Sequence, residues 1–478
     1  MTEPANPPDE RPRTLPVWVR VADVLGLALA GLALITAQGG GFRLRAGDVR
    51  VSVTSAWRIA LAAAVILLVR HVAHRKLPVY RRIWSGLRAA SRADGLREVL
   101  PAWALSRFGV LLVGLLAVGS LGFRDNTVPF RLYENEIINL PARYDAGWYL
   151  NIAAEGYRAY FPASVQQNIA FMPALPMLMR IGGRLLGGQP LWAGQVVVLV
   201  AGLWGFMYVY RLARSDLGDA NRAGLAVALL AAYPFAVFFS AVYTESIFLL
   251  CCAGGFYHAM RREHWRTAAF ALLCGFTRPN GFLLAVPLAL VALWPGIADA
   301  WRRRSAGFAA GVGRAVRDSV PSIIAAGAAG VGVVAFSAFV FALTGHPLAW
   351  LEAHSAWGRT FGSWVTKGPF QEGGLYQYLL TQPADALNFV AIVGFLAAIW
   401  PVTRRLGVPY GVFLAVNLIP PFLMGGTLSI GRVTSVMFPV FIWLASVVPP
   451  GHRAAWLTLF ALLQGWGATL FFTWRTFI

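Results

Sequence analysis

The sequence predicts an all-α polytopic integral membrane protein, and three observations predict it. Hydrophobic residues make up 58% of the 478-residue chain and charged residues only 13%, too little charge to cover a soluble protein of this size. Mean hydropathy is +0.60, and apolar runs near the roughly 20 residues that span a bilayer recur from end to end. Those runs are sustained rather than alternating, which excludes a transmembrane β-barrel.

The start, "MTEPANPPDERPR", is polar and Pro-rich and is expected to be a disordered cytoplasmic tail over 1–16. The first apolar run carries no cleavage signature, so it is expected to be retained as a span. Spans are expected at 17–38, 56–72, 103–123, 192–211, 222–241, 246–260, 320–343, 386–402, 409–425, 433–448 and 454–472. Two shorter apolar pieces, 266–276 and 280–295, flank "TRPNG". The total is about 11–13 transmembrane helices. Residues 17–102 form a two-helix extension with a basic loop, and 103–478 form the core.

The net charge of +20 resides in short loops between apolar runs. Lys and Arg there mark the cytoplasmic side and meet anionic lipid. No basic domain interleaved with aromatic residues is present, so nucleic-acid binding is rejected. The most basic stretch, "HRKLPVYRRIWSGLRAASRADGLR" at 74–97, fixes the orientation. Counting from it puts the N-terminus in the cytoplasm and gives a multi-pass protein of the cell membrane. It also requires 266–295 to enter and leave from the cytoplasm as a broken hairpin. Polar backbone at membrane depth must be buried in protein or line a wet cavity, so "TRPNG" is expected at the edge of one. Residues 42–55 alternate around Ala46-Gly47-Asp48 and predict a small β-hairpin on the outer face.

This map gathers polar residues on the outer face. Asp145, in "RYDAGWYLNIAAEGY", opens a short interface helix on which Trp148, Tyr149, Ile152 and Ala153 share a side. Helix capping and chemistry fit Asp145 equally. Thr244 and Glu245 stand where a cap and a first-turn acid would serve the next helix. Arg278 lies at the hairpin tip, where an arginine marks a function or snorkels to lipid; its planar fork suits phosphate. A second outer loop, 344–385, holds His354, Trp357 and Arg359, and Arg432 starts a later span. Cys251, Cys252 and Cys274 lie in apolar runs, and no ligand spacing for zinc is present. No Asp-x-Asp pair stands near Asp145, and the glycines of "GGGF" and "GGTL" make no phosphate-binding loop. No cofactor is expected; a divalent metal is left open.

Together these stretches resemble a known family. "RYDAGWYLNIAAEGY" with "AFMPALPMLMR" is similar to the first lumenal-loop motif of the PIG-V family, relatives of GPI mannosyltransferase II. "YTESIFLL", "TRPNGFLL", "GHPLAWLEAHSAWGR" and "GRVTSVMFP" resemble its later motifs in the same order. The resemblance covers about residues 103 to 450. Three positions depart from it: Tyr144 replaces a common Trp, His346 a common acid, and Val433 a frequent Tyr. The resemblance implies a C-class glycosyltransferase (GT-C) fold. It implies an enzyme that takes a sugar, most often mannose, from a polyprenyl-phosphate carrier on the extracytoplasmic face, with Asp145 as the catalytic acid of the loop. On that chemistry Asp145 is the general base. Arg278, then Arg432, meets the leaving phosphate. Arg143, Trp148, Tyr149, Glu245, His354, Trp357 and Arg359 complete the substrate-binding set. The partners are the donor lipid, membrane lipid and an acceptor the sequence does not name. The alternative is a multi-span transporter or lipid flippase, which would show two related halves with broken spans in corresponding positions; one broken hairpin is visible.

Overall fold

The computed structural model describes residues 95–475 except 160–164, 304–306, 360 and 363–374, together with 477. N-terminal to these it describes 16, 18–19, 21–23, 25–26, 29–30, 33, 42–46, 49–53 and 55–73. The tail and most of the basic 74–97 segment lie outside the described residues. The chain divides into two compact units, residues 1–93 with 183–189, and residues 94–182 with 190–478.

In the smaller unit, described residues between Trp18 and Ala33 are helical. The expected hairpin is present: β1 (Phe42–Ala46) pairs antiparallel with β2 (Val49–Val53), Ala46 opposite Val49. Helix α1 follows (Ala56–Ala73). Its buried Arg70 pairs with Asp23 at 2.5 Å, an intramembrane charge matched by its opposite.

The larger unit is helical among its described residues. In order it contains α2 (Leu96–Leu121), the single turn α3 (Glu136–Asn139), α4 (Ala146–Glu155), α5 (Ala174–Leu185), α6 (Pro190–Leu217) and α7 (Ala220–Ala232). Then come α8 (Glu245–Met260), α9 (His264–Gly275), α10 (Ala285–Arg303), α11 (Phe308–Thr344), α12 (Ala349–Glu352) and α13 (Leu375–Thr381). The chain closes with α14 (Pro383–Leu406), α15 (Val408–Gly425), α16 (Ile430–Ser435), α17 (Phe438–Val447) and α18 (Arg453–Phe472). Eight helical stretches among the described residues are long and apolar enough to cross a membrane, and α7 and α17 are shorter apolar helices. The protein is an all-α polytopic membrane protein.

Two expected spans are broken, both at proline. The run 222–241 stops as α-helix at Ala232, because Pro234 bars the residue before it from helical geometry; a 3₁₀ segment, Pro234–Phe239, follows. The run 433–448 is split between α16 and α17, with Pro439 in the first turn of α17. Helix α11 is longer than expected at 37 residues, about 55 Å at 1.5 Å per residue, so it overshoots a hydrocarbon core of about 30 Å.

Side chains from three helices hold the 3₁₀ segment. Arg107 of α2, fully buried, donates to Ala231 O at 3.0 Å, to Ser240 Oγ at 3.0 Å and to Ala236 O. Gln464 of α18 donates to Ala231 O and Tyr233 O, and Gln195 of α6 to Ser240 O. Carbonyls released where the helix ends inside an apolar medium are thereby satisfied. Phe238 and Tyr243 then pack on Phe471 with ring centroids 5.3 and 5.8 Å apart.

The chain does turn at "TRPNG", but the second piece is longer than expected: Gly281–Arg302 is by itself long and apolar enough to cross a membrane, because the helix runs on past 295 to Arg303. Helices α9 and α10 both pack along α11, and the turn between them carries "TRPNG". A Cβ on Gly332 would sit 2.8 Å from the backbone of Gly275, so these helices touch through glycine, as small residues permit in lipid. Gly330 faces open space. Gly332→Ala is expected to lower the thermal midpoint in detergent, consistent with an overpacking cost of about 1–3 kcal/mol. Gly330→Ala should leave the midpoint where it is; equal effects of the two would mean the helices are not in glycine contact.

Candidate functional site

The site is built at the broken ends of helices. Before α4, Tyr144 holds a left-handed backbone, φ 46°, which a bulky residue adopts only under constraint. Its ring packs against Trp474 at 4.6 Å and its hydroxyl donates to Arg475 O at 2.9 Å. Asp145 follows at the N-cap position of α4, yet its carboxylate makes no cap bond. It turns instead to Arg432, with Oδ2 2.6 Å from Nη1. Capping is thus not what the Asp145 side chain does here. Its main-chain N–H donates to Tyr243 Oη at 3.1 Å.

Thr244, at the N-cap of α8, likewise makes no cap bond with its side chain. Glu245 is fully buried, and its Oε1 accepts from Arg432 Nε at 2.9 Å and Arg278 Nη1 at 3.0 Å. Arg432 also lies over the Tyr243 ring, 4.5 Å from its centroid. Arg278 lies over Phe248 at 5.5 Å. Its turn is pinned to α15 by Asn280, whose Nδ2 donates to Asn417 Oδ1 at 2.8 Å. Arg432 reaches the knot because Gly426 (φ 60°) and Ser429 (φ 55°) turn the chain sharply between α15 and α16, and Asn388 Oδ1 accepts from Gly431 N.

These groups border a cavity of about 1190 Å³. Asp145, Arg278, Arg359, Arg432 and His354 line it, with Trp148, Tyr149 and Trp357. Much of the remaining wall is apolar, including Phe282, Val334, Leu348, Leu351 and Met424. The same five side chains are exposed, Val334 by 66%, so this wall is not closed over by protein.

The electrostatics follow from burial and neighbours. Burial, reinforced by the Arg432 charge, pushes the Arg359 guanidinium down to about 10. It remains a cation at neutral pH, and among the described residues it forms no ion pair. Burial and then Arg359 push His354 down to about 4, so its imidazole is neutral. Tyr149 is raised by burial and by Asp145. Three guanidiniums therefore face two carboxylates, leaving an excess positive charge at the cavity wall. Among the described residues no group of three or more His, Cys, Asp or Glu side chains is placed to hold a metal ion.

Two expected ligand-contacting residues are elsewhere. Arg143 does not line the cavity. It is fully buried between Phe123 and Trp474 and donates to Phe472 O at 3.0 Å and Asn139 O at 2.8 Å, with Glu136 3.6 Å away. These bonds tie the loop before α4 to the end of the C-terminal helix α18. Glu245 also lies behind the wall and orients the two arginines rather than touching a ligand. Sequence reasoning missed Phe171, Trp350, Ser429 and the apolar wall from α15. The only signal for the last was the Pro420-Pro421 pair followed by Gly425-Gly426, a helix ending inside the core.

No family model and no curated protein matches the chain. Among solved structures it is similar to the oligosaccharyltransferase of Archaeoglobus fulgidus. The likeness to its complex with Zn and sulfate has a TM-score of 0.37 and 16% identity over 76% of this chain and 53% of that one. For the complex with an inhibitory peptide and a dolichol-phosphate the TM-score is 0.36, with 15% identity over 77% and 55%. For the form tethered to an acceptor peptide it is 0.38, with 15% identity over the same shares. This chain spans about half the length of those proteins.

Two predictions follow from the charges. Glu245→Gln leaves the buried Arg432 and the half-buried Arg278 without their shared carboxylate and is expected to cost about 3 kcal/mol of stability; a thermal midpoint equal to wild type would show the pairs are not formed. His354, neutral when folded and protonated below about 6.5 when unfolded, contributes stability that is whole above that pH and lost as pH falls toward about 4. His354→Gln should therefore flatten the drop in thermal midpoint between about pH 7 and about pH 5; an unchanged drop would contradict its burial as a neutral ring.

Proposed function

We propose that the protein is an inverting glycosyltransferase of the C class, resembling the PIG-V family. It would transfer a hexose, specifically mannose, from a polyprenyl-phosphate carrier to an acceptor hydroxyl on the extracytoplasmic face. The observation that carries this reading is the convergence of Asp145, Arg278, Arg359 and Arg432 on one cavity whose remaining wall is largely apolar and in part exposed. A ligand with a hydrocarbon tail, an anionic group and a polar head matches that wall in kind.

The chemistry requires little beyond these groups. The acceptor oxygen attacks the anomeric carbon opposite the phosphate, and the bond from that carbon to the phosphate oxygen breaks. Its electron pair leaves on the phosphate, which is a good leaving group already. Asp145 takes the hydroxyl proton. Arg432 fixes its Oδ2, and among the described residues Oδ1 takes no hydrogen bond, so one oxygen is oriented and the other available to the acceptor. Positioned base action of this kind supplies about 10²–10⁴-fold. Arg359 is the first choice for the leaving phosphate, since Arg278 and Arg432 are already paired with Glu245. Arg278 and Arg432 add fixed positive charge where negative charge develops.

The test uses purified protein offered labelled polyprenyl-phosphate-mannose and, separately, GDP-mannose. Sugar release from the lipid donor alone is expected. Lipid binding without release points to a carrier and overturns the enzyme. Asp145→Asn should reduce transfer by at least about a hundredfold with the thermal midpoint preserved to within a few degrees; activity above that level removes Asp145 as the base.

A further inference from the structure

Three aromatic rings from separate segments make one wall of the cavity. Trp148 of α4 stacks on Phe171, which precedes α5, with centroids 5.7 Å apart and planes 18° from parallel. Trp357, at the end of the 3₁₀ turn Ala353–Trp357, meets both edge-on at 5.8 and 5.6 Å. All three rings line the cavity that Asp145 lines, and each is only partly buried. Packing of this kind fixes the rings before any ligand arrives.

One turn before Trp357, His354 lines the same cavity. Its Nε2 is buried and, among the described residues, has no hydrogen-bond partner. The contrast with Trp350 is informative: its indole N–H is also enclosed, but it donates to Ser337 Oγ at 2.9 Å. A buried polar atom left unpaired beside a cavity is unusual in a native structure and calls for a missing partner. The imidazole is uncharged, so that partner need not be an ion. A neutral ring nitrogen pairs well with a hydroxyl, which both donates and accepts. An aromatic wall and a neutral hydroxyl-binding atom suit a flat molecule with one apolar face and a rim of hydroxyls. The cationic groups, Arg278, Arg359 and Arg432, leave the phosphate to another part of the wall.

We propose that Trp148, Trp357 and His354 form a pyranose subsite that holds an uncharged hexose by stacking on the rings and by one hydrogen bond between His354 Nε2 and a sugar hydroxyl. The proposal rests on the lipid-phosphate donor reading and identifies which side chains see its sugar. The subsite makes the hexose a positive contributor to donor binding. Phe171 backs the two tryptophans and sets their spacing.

The experiment compares equilibrium binding of two labelled lipids, polyprenyl phosphate and polyprenyl-phosphate-mannose, to the full-length protein in nanodiscs. Wild type should bind the sugar-bearing lipid about tenfold more tightly, the sum of one aromatic contact and one neutral hydrogen bond. Trp357→Ala and His354→Ala should bring that ratio near one while binding of bare polyprenyl phosphate changes by less than about twofold. Trp357→Phe and His354→Gln, which keep an aromatic face and an uncharged hydrogen-bonding group, should keep most of it. Equal binding of the two lipids by wild type, or variants in which both lipids weaken together, overturns the subsite. If wild type binds neither lipid, the donor reading itself falls and takes the subsite with it.

Discussion

One carboxylate oxygen holds the site together. Glu245 Oε1 accepts from Arg278 and Arg432 at once, at 3.0 and 2.9 Å, with no solvent exposure. Through Arg432 the knot extends to Asp145. Four segments far apart in sequence therefore meet at one place: the start of α8, the turn between α9 and α10, α16, and the loop entering α4. Buried charges in lipid-depth packing are tolerated only when paired and hydrogen-bonded, so the elements must arrive together or not at all. That constraint explains why the helices are broken where they are. Pro234, Pro279 and Pro439 end or open helices beside the knot, and Arg107, Gln464 and Gln195 satisfy carbonyls freed by the first of these breaks.

The knot also sets the charge of the cavity. Two carboxylates are committed to arginines, whereas Arg359 forms no ion pair among the described residues and faces the same space. Burial lowers its guanidinium only to about 10, leaving it fully cationic. The site is thus poised for an anion without being a strongly positive surface. His354, held neutral by burial and by Arg359, separates this cationic region in character from the aromatic wall of Trp148, Phe171 and Trp357. Cationic, neutral-polar and apolar groups thus occupy different parts of one cavity wall.

Much of this was legible in the sequence because bilayer physics is blunt. Sustained apolar runs gave the helices, the alternation over 42–55 gave the hairpin, and the break at "TRPNG" gave the turn between α9 and α10. Counting spans put Asp145, Glu245, Arg278 and Arg432 in one group, and the structure brings the four into contact. What the sequence hid was pairing. Thr244-Glu245 and Asp145 look like helix caps because capping is local, whereas the interactions that claimed them span 187 and 287 residues. Arg143 stands two residues from Asp145 and shares its motif, yet the backbone of Tyr144 turns it the opposite way into the core. Such a turn comes from packing against Trp474 at the far end of the chain, which no local pattern announces. The roles of the aromatic wall and of the α15 apolar wall were hidden for the same reason.

The most direct test is an experimental structure with polyprenyl phosphate bound. A lipid-phosphate site places the phosphate oxygens within hydrogen-bond distance of Arg359 and at least one of Arg278 and Arg432, with the tail leaving past Met424 and Val334. A phosphate held outside this cavity, or a tail that leaves the three arginines untouched, would contradict it.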